Sequence, residues 1–232
     1  MRILVFGDVH GSYNSLKELV NTKDFKSADK VIFLGDIVMG ASRVNECIEL
    51  INDTCCECIV GNNDVYAFDC IPNCELEEFS KQKMIQLDYM KKILTDNNRT
   101  IMSKWKRELY LSVNNKKLYF VHYPWEVIDN EYSVIDSKEN VDLKFRQEMF
   151  KDIDAEYIFF AHEHRSSFFE DENKKYYGIN TLGLEHPSKY LIVDVEFDQV
   201  KVEEKELIFD CNEEKVLIDK AGYPYDKSKI GY

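Results

Sequence analysis

Five short apolar runs in this chain each stop at a residue able to bind a metal ion. Residues 3–6 lead into Gly7-Asp8-Val9-His10-Gly11, and residues 31–34 into Gly35-Asp36. Residues 58–60 lead into Gly61-Asn62-Asn63-Asp64, residues 117–121 into His122, and residues 157–160 into Ala161-His162-Glu163-His164. Runs of this length and content read as buried strands. Strands that end in polar donors place those donors along one sheet edge, where open α/β sheets carry their sites. The glycines let the backbone bend there without steric cost. Asp-x-His alone is a common pattern; its repetition at later strand ends is what constrains the fold.

Histidine is scarce, with five in the chain, and four of them (His10, His122, His162 and His164) follow predicted strands directly. Asp8, Asp36 and Asn62 occupy equivalent positions. Seven N/O donors at one edge suffice for two divalent ions with one carboxylate bridging. Two carboxylates against two dications leave an excess of about +2, or +1 with a bridging hydroxide. Such a centre attracts phosphate and lowers the pKa of bound water.

That local excess would stand out against the rest of the molecule. The 232 residues carry a formal net charge of −13, which repels polyphosphate backbones and argues against an extended nucleic-acid surface. A small phosphorylated substrate remains compatible, and no membrane association is expected, because no apolar run is long enough to span a bilayer. No signal peptide is visible, and seven cysteines, an odd number, fit a reducing compartment, so a cytoplasmic location is expected. Six of the cysteines crowd residues 47–74, yet their spacing does not match paired C-x2-C zinc ligation, and they read as small buried hydrophobes.

Along the chain, Ser12 is expected to cap a helix to about residue 20, and Ser42 to cap one carrying Val44, Cys47, Ile48 and Ile51. Residues 73–97 read as one long helix capped by Asn73, with Glu75, Glu77 and Glu78 at its positive end. A hairpin turns at Asn114-Asn115. Residues 126–138 read as irregular, 139–151 as a helix, the last third as β-rich, and 212–221 as a short helix. Alternating strands and helices over the first 64 residues imply a parallel sheet. The chain is expected to be a single domain over residues 1–232, with 208–232 as a C-terminal appendage.

GDVHG, GDIV, GNND, VH and AHEH, in that order, resemble the calcineurin-like metallophosphoesterase superfamily, whose series is GD-x-H, GD-x-x, GN-[HCN]-[DE], H and GH-x-H. The resemblance covers about residues 1–207 and is nearest to small bacterial and archaeal phosphodiesterase-like members. Gly178-Ile179-Asn180 to Pro187 and the strand after it are similar to that family's closing loop and hairpin. The resemblance implies an α/β fold, a four-layer α/β/β/α sandwich. It implies that Asp8, His10, Asp36 and His164 hold one ion, and that Asp36, Asn62, His122 and His162 hold the other, with Asp36 bridging. The ions would be manganese, or iron, nickel, cobalt or zinc. A metal-bound hydroxide would attack phosphorus, with Asn62, Asn63 and His122 near the substrate and Asn63 and Asp64 in catalytic or supporting roles.

Departures from the family pattern narrow the activity. Asn63 stands where many members have histidine, and an amide donates a hydrogen bond but delivers no proton. Asp64 could orient Asn63 or a ligand, or cap the loop. Met39-Gly40 replaces the Asp-Arg-Gly of protein phosphatases and symmetric dinucleoside tetraphosphatases. Arg43 reads as a solvated helix residue rather than a substitute clamp. Ala161 replaces glycine. Phosphodiesters or small nucleotide-like substrates fit best. A phosphomonoesterase or protein phosphatase, or a non-catalytic scaffold on the same fold, is the alternative. Trp105, Tyr123 and Trp125 could stack on a base, although packing is the ordinary role of such residues. Glu163 is expected to point away from the ions, and His186 is expected not to be a ligand.

Overall fold

The computed structural model describes residues 1–54, 56–77, 79–128, 131–135 and 141–224. The first units are β1 (Arg2–Phe6), α1 (Tyr13–Asn21), α2 (Lys23–Ser27), β2 (Lys30–Phe33), α3 (Val44–Asp53), β3 (Glu57–Cys58) and α4 (Asn62–Phe68). A 3-10 turn (Asn73–Glu75) precedes α5 (Lys81–Ile93) and α6 (Asp96–Met102). Then come β4 (Glu108–Val113), β5 (Lys116–Val121), β6 (Trp125–Ile128), β7 (Glu131–Val134), α7 (Leu143–Met149) and β8 (Tyr157–Phe160). The chain continues with β9 (Ser167–Glu170), β10 (Lys175–Gly178), β11 (Ser188–Val195), β12 (Val200–Leu207) and α8 (Cys211–Ala221).

Two five-stranded sheets form, in the orders β12-β11-β1-β2-β3 and β4-β5-β8-β10-β9. β1, β2 and β3 run parallel, as do β5, β8 and β10, with antiparallel strands outside them. Side chains alternate across a strand, and that alternation sorts the core into three parts. Ile3 and Val5 meet Leu118, Phe120, Tyr157 and Phe159 between the sheets. Leu4 and Phe6 face the other way, into a core shared with Leu16, Leu19, Val44 and Ile48 of the helices. Tyr119, Val121, Ile158 and Phe160 face a third core with Phe150, against which Leu143 and Met149 of α7 pack. The layers therefore run helices, sheet, sheet, helix. Each fully buried Leu, Ile or Phe contributes about 1.5–3 kcal/mol of apolar transfer.

Gly7 lets the end of β8 approach the end of β1. A Cβ there would lie 2.9 Å from Ala161 Cβ and 3.2 Å from Leu34 Cβ. The methyl group of Ala161 occupies space that the missing Gly7 side chain leaves, so alanine is accommodated before His162.

Several local expectations are corrected. Residues 73–97 are not one helix. Ser80 accepts the N–H of Lys83 and Thr95 that of Asn98, so two strong N-caps divide the segment into α5 and α6. Asn73 caps no long helix; its N–H and Nδ2 donate to Glu131 at 2.6 and 2.9 Å. Within 126–138, the described residues form the β6–β7 ribbon rather than an irregular segment. Asp142 caps α7 by accepting the Phe145 N–H, which sets the helix start at Leu143. Arg43, not Ser42, stands at the N-cap of α3. Ser12 is at the N-cap of α1, but its hydroxyl has no partner, and the Asn14 N–H donates instead to Glu214 Oε1 at 2.8 Å. Cys55, Glu78, residues 129–130, residues 136–140 and the chain beyond 224 lie outside the described residues.

Arg43 is not a solvated residue either. Its guanidinium donates to Glu214 Oε1 at 2.8 Å and to Asn14 Oδ1 at 2.6 Å, and it covers the Tyr13 ring. Glu214 is fully buried, so this pair fastens α8 to the start of α3 and, through Asn14, to α1. Beyond α8, the Tyr223 ring packs at a tilt against Tyr89 and its hydroxyl accepts the N–H of Gly40 at 3.2 Å. Trp105 packs edge-on to Phe33, and the Tyr123 side chain is fully buried, which leaves Tyr123 no face to stack on a base.

Candidate metal centre

The loops after β1, β2, β5 and β8, together with the start of α4, bring the seven predicted donors together. Asp8, His10 and His164 form one group and Asp36, His122 and His162 another, with the donor atoms of each within 4.8 Å of one another. Asn62 Oδ1 joins the second group, 3.1 Å from His122 Nε2 and 3.0 Å from His162 Nδ1. Asp8, His10, Asp36, His162 and His164 all adopt positive φ between 50° and 72°. These bends turn side chains inward at the ends of straight strands, at a cost of about 1 kcal/mol or more each.

Backbone carbonyls fix which ring nitrogens face inward. His10 Nδ1 lies 3.0 Å from the Val38 carbonyl, and His122 Nδ1 lies 2.8 Å from that of Leu34. A carbonyl only accepts, so each Nδ1 carries a proton, and the tautomer with no second proton turns a bare Nε2 lone pair to the centre. The lone pairs then meet other acceptors. His122 Nε2 is 3.1 Å from Asn62 Oδ1 and 3.5 Å from Asp36 Oδ2. His10 Nε2 is 3.0 Å from His164 Nε2 and 3.7 Å from Asp8 Oδ1. Asp8 Oδ1 is buried and accepts no well-directed hydrogen bond, although His164 Nε2 lies 3.3 Å from it. Converging buried acceptors with few protons between them are what a pair of cations would satisfy.

Electrostatics act in the same direction for Asp8, His10 and His162. Burial opposes ionisation of Asp8, but His164, His122 and His10 outweigh it and hold its carboxyl well below the usual range. Burial, and then His164, lowers the His10 pKa. Burial, and then His122, drops that of His162 to about 4. Burial opposes protonation of His164, yet Asp8 outweighs it and the pKa is raised. At neutral pH, His10 and His162 are therefore unprotonated and Asp8 is ionised, the states that metal binding requires.

Asn63 and Asp64 take different parts. Asn63 donates its N–H to Asp36 Oδ1 at 3.0 Å and its Nδ2 to Asp36 Oδ2 at 2.5 Å, while its own Oδ1 has no partner. Asp64 does not touch Asn63. Fully buried, it accepts the N–H groups of Gly61, Asp36, Ile37 and Val38, so it both caps α4 and holds the Asp36 loop. Burial, and then Asp36, push its pKa up to about 7, while the N–H groups favour the carboxylate.

The donors open onto a cavity of about 220 Å³. Met39, Leu184, Asn63 and, from α5, Lys83 and Gln86 complete its walls. Asp8 and His122 are fully buried and are not among the described lining residues. A larger cavity of about 710 Å³, beside Arg107, Trp125 and Phe145, contains none of the seven donors. Among the described residues no candidate metal group contains a cysteine. Glu163, between His162 and His164, turns to Arg146, Tyr123 and Arg165 instead of the centre. The ring of His186 lies against Phe209.

The sequence patterns did not reveal Lys83 and Gln86, because they reach the site from a helix outside the motif series. Nor did they reveal the Thr181–Gly183 support. Thr181 Oγ1 donates to the Asp8 carbonyl at 2.9 Å, and a Cβ on Gly183 would lie 1.8 Å from the Val9 carbonyl. The lone glycine in Thr181-Leu182-Gly183-Leu184 was the available signal for such a close approach.

The sequence pattern of the calcineurin-like phosphoesterases matches residues 1–166. This chain belongs to that family. An uncharacterised protein of Methanocaldococcus jannaschii is 28% identical over 231 residues, spanning 88% of this phosphoesterase-family chain and 90% of that relative. A hypothetical protein of Pyrococcus horikoshii superposes with a TM-score of 0.78 at 15% identity, over 96% of this chain and 94% of the other. A metallophosphoesterase of Sphaerobacter thermophilus does so with 0.69 at 16%, over 98% and 96%. At these identities the two structures establish the fold that the calcineurin-like members share.

Proposed function

We propose that the protein is a two-cation phosphoesterase acting on phosphodiesters or small nucleotide-like substrates. The reading is carried by two adjoining buried groups of donors, one centred on Asp8 and one on Asp36, in which carbonyl-held histidines turn lone pairs inward. Asp8, His10, Asp36 and His164 would hold one ion, and Asp36, Asn62, His122 and His162 the other; manganese is the ion to test first. When bound, the pair supplies charge for the phosphoryl oxygens and hydroxide near neutral pH.

The remaining chemistry belongs to the chain. Asn63 stands at the cavity with its amide fixed on Asp36, placed to orient a phosphoryl oxygen but unable to deliver a proton. Leaving groups that need no protonation are therefore favoured, which fits activated or nucleotide diesters. Lys83 brings positive charge to the cavity wall from α5, a second contact for an anionic substrate. Met39-Gly40, where protein phosphatases of the family have Asp-Arg-Gly, offers no such contact. The small cavity suits a compact substrate, and the −13 charge keeps long nucleic acid outside the proposal. Among the described residues Cys47, Cys58, Cys70, Cys74 and Cys211 form no disulfide, which fits a reducing compartment. Among the described residues no helix is long and apolar enough to cross a membrane.

The deciding experiment is hydrolysis of an aryl phosphodiester by purified protein with Mn²⁺. Activity should appear with the wild type and vanish in Asp36→Asn. Inactivity across divalent metals and pH would refute the reading. Preference for a monoester, by kcat/KM, would favour the phosphomonoesterase alternative, and clearly sub-stoichiometric metal would favour a scaffold.

A further inference from the structure

Asn62 carries an ambiguity that the other donors lack. The two ends of its amide have nearly the same shape, but only Oδ1 has a lone pair for a cation; Nδ2 turned inward would aim hydrogens at it. Something must decide which end faces in.

One turn along α4, the Tyr66 hydroxyl accepts from Asn62 Nδ2 at 3.3 Å. Tyr66 donates its single proton to Glu75 Oε2, and the other Glu75 oxygen accepts from Ser133 Oγ at 2.5 Å. The polarity of this chain runs one way. A carboxylate has no proton to give, so the phenol must donate to it. The phenol oxygen then has only lone pairs left, and it can face Nδ2 but not Oδ1. Oδ1 is thereby directed to His122 and His162.

We propose that Tyr66 and Glu75 are positioning residues that lock the Asn62 amide with its oxygen toward the cation centre. Glu75 is itself anchored. It ends the 3-10 turn that Glu131 of β7 grips through Asn73, so the β6–β7 ribbon holds the relay from outside. Neither residue lies in the motif series. The inference rests on Asn62 being a cation donor, as proposed above.

The test is calorimetric titration of chelator-treated, full-length protein with Mn²⁺. Wild type should take two ions per chain. Tyr66→Phe should weaken one of the two sites about 10-fold, the scale at which supporting partners of metal ligands act. Asn62→Asp supplies the control, because a carboxylate presents oxygen whichever way it turns. In that background Tyr66→Phe should cost less than about twofold. Glu75→Gln, whose amide can donate to the phenol and release its proton toward Asn62, should weaken binding in the same direction and serves if Tyr66→Phe fails to fold. Equal losses in both backgrounds would mean that Tyr66 only packs, and no loss in either would mean that the amide needs no lock; each overturns the proposal while leaving the two-cation reading intact. Fewer than two ions on wild type would overturn that reading and the relay with it.

Discussion

Asp64 Oδ2 accepts the backbone N–H of Asp36 at 2.9 Å, so one carboxylate holds in place the loop that carries the other. Its Oδ1 accepts Ile37 and Val38 at 2.9 and 3.3 Å. In Asp64→Asn, an NH₂ group would face N–H donors and leave them buried without acceptors. The expected loss is about 2–4 kcal/mol of stability in urea unfolding, with reduced metal content by elemental analysis. Wild-type stability in that variant would show the contacts to be incidental.

Gly61 lies against the same aspartate. A Cβ there would sit 2.1 Å from Asp36 Oδ1 and 2.5 Å from Asp36 N. Gly61→Ala should therefore displace Asp36 and lower bound Mn²⁺ to less than about half of the wild-type content, while circular dichroism stays sheet-rich. Full metal loading would refute this steric argument.

Arg146 is a wholly buried cation paired with Glu163, which is turned away from the histidines on either side of it. Glu163→Gln removes the charge and leaves the guanidinium uncompensated, at an expected cost of about 3–5 kcal/mol. Thermal unfolding measures it, and a change below about 1 kcal/mol would mean that the pair matters little to stability.

Lys83→Met keeps the length of the side chain and removes its charge. For an anionic diester, KM should rise about 5- to 10-fold while kcat changes by less than about twofold, the pattern of a contact made equally in ground and transition states. A fall in kcat alone would place Lys83 in the chemical step.

His162 gives a pH signature in chelated protein. With its folded pKa near 4 and the ordinary histidine value at 6.5, the unfolded chain holds a proton that the folded ring does not between those limits. Stability from this group therefore rises with pH across about 4 to 6.5 and is lost on acidification. His162→Asn should flatten that part of the curve in Tm measurements from pH 4 to 7. An unchanged slope would assign the titration to other groups.

The placement of the donors was legible because strand ends fix direction. Once residues 3–6, 31–34 and 157–160 are buried strands, Asp8, Asp36 and His162 must emerge at sheet edges. The break at Ser80 was hidden because the residues around it are ordinary helix formers, and a cap competes with propagation through one hydroxyl that sequence periodicity does not weigh. The β6–β7 ribbon was missed because its residues are mostly partly exposed and its alternation is weak. Lys83, Gln86 and Arg146 depend on how helices dock, a property of the assembled layers and not of any short stretch. The pairing of Arg43 with Glu214 spans 171 residues and leaves no local trace.

Five side chains of the centre hang from left-handed bends where glycine would rest more easily. A chain shaped only for endurance would carry glycine at those corners and give up its grip on cations. This one keeps its loops wound like springs, and on the proposed reading each ion that settles between them acts as a latch. Resistance to heat and possession of metal should then rise and fall together, so a melting curve would also serve as a gauge of how many ions the protein holds.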